Sequence, residues 1–99
     1  MTTTKTLRKP TVHLNGTSPD ALFEQLANVN GAIRKAISTL QEAAPHGRDY
    51  YPQGDNAINE ATKEHLDRIA RLRSVMSEIE ELAEHVADAR DARAARKAR

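Results

Sequence analysis

Between Leu22 and Ala43 the apolar positions fall at Leu22, Leu26, Val29, Ile33, Ala36, Leu40 and Ala43, in alternating steps of four and three. That spacing predicts an amphipathic helix with a heptad seam, widened on one side by Phe23 and Ile37. A second run follows at Ile58, Thr62, His65, Ile69, Leu72, Met76, Ile79, Ala83 and Val86, broadened by Leu66, Val75 and Leu82. His65 lies on this seam and reads as a core or interface histidine. Local signals set the limits. Ser18-Pro19-Asp20 combines a capping hydroxyl, a proline with no N–H to lose and an acid at the positive helix end. Pro45 stops the first helix near Ala44, and Asp55 or Asn56 caps the second. No glycine or proline interrupts residues 55–99, so the second helix can continue into the tail. The predicted elements are a basic, extended segment over 1–17, a hairpin over 18–87 (helix 19–44, loop 45–55, helix 56–87) and a basic Ala/Arg tail over 88–99, helical or frayed.

The fold class is therefore all-α, an antiparallel two-helix coiled-coil hairpin. With the turn centred near Tyr50, Leu40 is expected to face the region of Glu60, and Leu22 that of Glu78 and Ile79. Leu82 and Val86 would then lie beyond the start of the first helix, where Thr11–Leu14 folds back over them as a short extended stretch. Asn15-Gly16 turns that stretch into the first helix. Gly31 costs about 1 kcal/mol relative to alanine inside a helix and is expected to mark a close helix–helix approach. Two helices bury little apolar surface, and both stripes are wider than a two-stranded seam needs, so a homo-oligomeric helical bundle is expected.

Charge adds an asymmetry that the net value of +1 conceals. Residues 1–18 carry Lys5, Arg8 and Lys9 and no acid. Glu78, Glu80, Glu81, Glu84 and Asp88 form an acidic stretch without a lysine or arginine, and the last ten residues are again basic. Opposite-sign segments of this kind associate head to tail or fold back on the body. The chain has no cysteine, which excludes disulfides, thiolate metal sites and a cysteine nucleophile. There is no secretory signal and no apolar run of the roughly 20 residues a membrane span needs, so no membrane association and a cytoplasmic location are expected.

The connection from Pro45 to Asp55 is longer than most helix–helix links in bundles. It holds both tyrosines of the chain. His46, Arg48, Asp49, Tyr50, Tyr51 and Gln53 form a set suited to a planar, charged ligand or a partner surface. Tyrosine stacks and donates its hydroxyl, arginine grips phosphate with two bonds, and glycine lets backbone N–H groups approach an anion. The structural alternative is that Tyr50, Tyr51 and Pro52 plug the open end of the hairpin while Arg48 and Asp49 pair. A separate candidate is the tail, where Arg90, Arg93, Arg96 and Arg99 recur every three residues with Lys97 added. Such a stripe contacts nucleic-acid phosphates without reading bases. Glu81, His85 and Asp88 share a helix face at a metal-compatible spacing that charge-rich helices also produce by chance; no metal and no cofactor is assigned. No nucleophile elbow, phosphate loop or zinc-protease motif is present, so the chain is not expected to be an enzyme.

VHLNGTS at 11–17, AAPHGRDYYPQGD at 43–55 and EHLDRIARLRSVMSEIEELAEHVA at 64–87 together resemble small uncharacterised bacteriophage and prophage proteins. RDYYPQG (Arg48–Gly54) is the most specific piece, and the tail from Asp88 lies outside the resemblance. It implies a phage origin and the host cytoplasm as the place of action more than it implies an activity. Small phage proteins often act against host defences. Sponges that sequester cyclic-nucleotide signals likewise assemble short helical hairpins into oligomers, a likeness of fold alone. The expected function is thus a non-enzymatic phage binding or inhibitor module in counter-defence, holding a nucleotide-like small molecule or blocking a host protein through residues 46–53. The alternatives are a nucleic-acid-associated protein acting through its basic ends and a structural or scaffold component of the virion.

Overall fold

The computed structural model describes residues 6–97. Two long helices pack against each other, α1 over Pro19–Glu42 and α2 over Ala57–Lys97. Among the described residues there is no strand, and the extended stretch before α1 is irregular chain. At the start of α1, Ser18 receives the Ala21 N–H on its hydroxyl at 3.2 Å and the Leu22 N–H on its carbonyl at 3.0 Å. The first satisfies a donor that a helix start otherwise leaves open, and the second is the first regular bond of the helix. Asn56 opens α2: its carbonyl takes the Glu60 N–H at 3.1 Å, while its side-chain amide bonds the Glu60 carboxylate. α1 stops two residues before the expected end, and the last Ala43 and Ala44 N–H groups bond three residues back before Pro45. α2 runs on through the Ala/Arg tail to Lys97, as the absence of any breaker allows.

Two compact units divide the chain. In residues 32–76, Ile37, Ala61, His65 and Ile69 are buried, flanked by half-buried Ile33, Leu40, Ile58, Leu72 and Met76. The seam therefore departs from the strict heptad. Ile37 is buried where Ala36 was expected, and Ala61 is buried while Thr62 is exposed. A helix turns every 3.6 residues, so a 3.5-residue pattern drifts around it, and the contact line moves to the neighbouring position. His65, 5% exposed, is a core histidine. The register also differs from a tight turn at Tyr50. Arg34, Ile37, Ser38 and Gln41 line one depression with Arg73 and Met76, so Leu40 lies level with the region around Leu72 and not with Glu60. α2 consequently begins about three turns beyond the end of α1. In the connection itself Pro45, Gly47 and Tyr50 are half-buried.

In residues 6–31 with 77–97, Val86 is fully enclosed and Asn30 is buried, whereas Val29, expected on the seam, is 42% exposed. Arg90 bonds Asp20 at 3.2 Å and lies 5.9 Å from the centre of the Phe23 ring. The start of α1 is thus level with Arg90, and Val86 lies beside α1 instead of beyond it. The fold-back of the N-terminal segment is present but uses other residues than expected. The His85 ring donates from Nε2 to the Pro10 carbonyl at 2.7 Å, and Lys9 reaches Glu81 at 3.9 Å. Leu14, by contrast, is 86% exposed. The chain then turns at His13–Gly16, closed by the Gly16 N–H on the His13 carbonyl at 3.1 Å.

Candidate functional site

The loop between the helices is built from two consecutive 3-10 turns, Gly47–Asp49 and Tyr51–Gln53. His46 starts the first. Its backbone is extended, and its Nδ1 accepts the Arg48 N–H at 3.1 Å. Nδ1 is an acceptor in this geometry, so the ring proton sits on Nε2. The Asp49, Tyr50, Gln53 and Gly54 N–H groups each bond a carbonyl three residues back, at 2.9–3.1 Å. Gly54 ends the second turn with φ +115°, a backbone that L side chains rarely adopt. Two prolines and two glycines suggest a shaped connection, and the N–H groups of Arg48, Asp49, Tyr50, Gln53 and Gly54 are hydrogen-bonded within it.

On that frame His46, Arg48, Asp49, Tyr51 and Gln53 are exposed and Tyr50 is half-buried. Tyr51 is 74% exposed. Of the three residues that were candidates for a plug, only Tyr50 turns inward, while Tyr51 and Pro52 face outward. Among the described residues neither Arg48 nor Asp49 takes part in an ion pair. His46 differs from its neighbours, because its ring is spent on capping the turn. The loop thus presents an unpaired guanidinium and an exposed phenol three residues apart on a fixed backbone.

The tail candidates separate. Arg90 is held by Asp20 and by Asp91 at 3.3 Å, and these carboxylates raise its pKa above the ordinary arginine value. It is an internal tie and not a free phosphate contact. Arg93 is half-buried, Arg96 and Lys97 are exposed at the last turn of α2, and Arg99 lies outside the described residues, as does Lys5 in the N-terminal segment. The Glu81, His85 and Asp88 row is not gathered into a metal site. Glu81 faces Lys9, His85 bonds Pro10, and among the described residues no three His, Cys, Asp or Glu side chains converge.

One feature went unnoticed in the sequence. In residues 32–76 a depression of about 280 Å³ is lined by Arg34, Ile37, Ser38, Gln41, Arg73 and Met76. Its sequence signal is the absence of acids. Residues 25–41 and 68–77 contain none, although they carry Arg34, Lys35, Arg68, Arg71 and Arg73.

No protein-family model, curated protein or solved structure matches this chain. No described helix is long and apolar enough to cross a membrane.

Proposed function

We propose that the protein is a non-enzymatic, phage-type binding module that works as a homo-oligomer in the host cytoplasm. It would hold a nucleotide-like signal at the 46–53 loop, in the manner of a counter-defence protein. The observation that carries this reading is the pairing of Tyr51, 74% exposed, with an Arg48 that has no acidic partner among the described residues, on a loop built from two hydrogen-bonded 3-10 turns. A stacking ring and a two-pronged cation are the groups a base and a phosphate require. Displaying them on an ordered backbone lowers the ordering cost of binding. Oligomerisation supplies the enclosure that one exposed loop lacks. Leu66 at 58% and Val75 at 44% exposure are apolar residues that such contacts would cover.

Native mass spectrometry of protein purified at moderate salt from host cells exposed to phage tests the proposal. The expected result is a closed oligomer carrying a few hundred daltons of extra mass per site (the size of a small nucleotide), lost in the Arg48→Ala/Tyr51→Ala variant. A monomer, or a ligand mass unchanged in that variant, would overturn the reading. Capture of a host protein that depends on the same two residues would replace the nucleotide-like ligand with a protein surface.

A further inference from the structure

The depression between α1 and α2 within residues 32–76 has the makings of a second binding site, separate from the loop. We propose that it binds a small aryl phosphate, with the phosphate held by Arg34 and Arg73 and the ring lying on Ile37 and Met76. Four observations carry this.

The first is the state of the arginines. Arg68 and Arg71 each form an ion pair with an acid one helical turn earlier, Glu64 at 3.8 Å and Asp67 at 3.0 Å. Arg34 and Arg73 form no ion pair among the described residues, although both are exposed and line the same depression. The second is the local field. The runs 25–41 and 68–77 contain no acid, so no carboxylate on either flanking stretch competes with a ligand. Two guanidinium forks, one from each helix, match a dianionic group with several oxygens better than a single carboxylate. The third is the rest of the rim. The Ser38 hydroxyl and the Gln41 amide add neutral hydrogen-bonding groups on the α1 side.

The fourth is the floor. Ile37 is 7% exposed and Met76 is half-buried, and both line the depression with apolar side chains. A thioether makes favourable contacts with aromatic rings, which selects an aryl body over a bare anion. The volume, about 280 Å³, sits at the small end of ligand pockets.

Met1 and Met76 are the two methionines, so a methyl-labelled methionine gives an NMR reporter on the floor itself. The full-length protein is titrated with phenyl phosphate, inorganic phosphate and phenol, in wild type, Arg34→Gln/Arg73→Gln and Tyr51→Ala. Phenyl phosphate is expected to shift the Met76 methyl saturably and to bind about tenfold tighter than inorganic phosphate, the gain from covering a small apolar area. The double arginine variant is expected to lose at least about tenfold in affinity, given two lost charge-assisted contacts. Tyr51→Ala is expected to bind like wild type, which distinguishes this site from the loop. Absence of a saturable Met76 shift, wild-type binding by the arginine variant, or phenol binding as tightly as phenyl phosphate would each overturn the proposal. Both arginines are exposed, and an unchanged melting curve for the variant confirms that a loss is local.

Discussion

Val86 has no exposed surface, while Val75 on the same helix is 44% exposed. Val86→Ala leaves a cavity among packed neighbours and is expected to cost about 2 kcal/mol, whereas Val75→Ala should cost less than about 0.5 kcal/mol. Urea unfolding reads the difference as a lower midpoint with an unchanged slope. The glycines make a second contrast. Gly31 is helical, and a Cβ there would meet nothing within 4 Å. The close approach expected at this position is absent among the described residues. Gly31→Ala should therefore stabilise by about 1 kcal/mol. Space is equally free at Gly54, but its φ of +115° is wrong for a side chain. Gly54→Ala should destabilise by about 1–2 kcal/mol, so thermal melts of the two variants are expected to move in opposite directions.

One side chain starts the bonding of the loop. His46 Nδ1 accepts the Arg48 N–H, and the turns that follow build on that start. In His46→Ala the Arg48 amide loses its acceptor, and its hydrogen exchange is expected to accelerate by about tenfold or less, the worth of one net hydrogen bond. Exchange in the interior of α2 should not change; equal acceleration there would mean that the histidine supports the whole fold. Both helices were legible in the sequence because apolar period, Ser18 and Pro45 agreed on them. The connection's fixed shape was announced by its two prolines and two glycines; the histidine that caps its first turn was not, because composition does not distinguish a capping histidine from a ligand-binding one. The seam was legible only to within one position, because Val29 against Asn30, or Ala36 against Ile37, is decided by helix drift that no residue type announces.

Over the whole molecule the register was the least legible feature. It depends on how far the connection runs back along α2, and loop length alone does not specify that. Asp20 meeting Arg90 and Ile37 sharing a depression with Arg73 fix it instead. The N-terminal segment was legible as a strap from its apolar residues, but what ties it down are the Pro10 carbonyl and Lys9. His85→Ala removes the 2.7 Å bond to that carbonyl. Trypsin is then expected to cut after the exposed Arg8 several-fold faster, with α2 still resistant. An unchanged rate would show that the Lys9–Glu81 pair and packing suffice. The pair is half-exposed and worth at most about 1 kcal/mol, so the histidine should dominate.

The chain has no tryptophan, and its two tyrosines stand side by side at 50 and 51, in the loop. Phe23, the remaining aromatic, absorbs little at wavelengths that excite phenols. Tyr50 is half-buried and Tyr51 almost free, so the pair spans a shielded and a solvated environment within one peptide bond. The ultraviolet emission of the unmodified protein is therefore a report from a single place. Any quenching, polarisation or energy transfer seen on mixing it with another molecule originates at the loop, and no label is needed to say so.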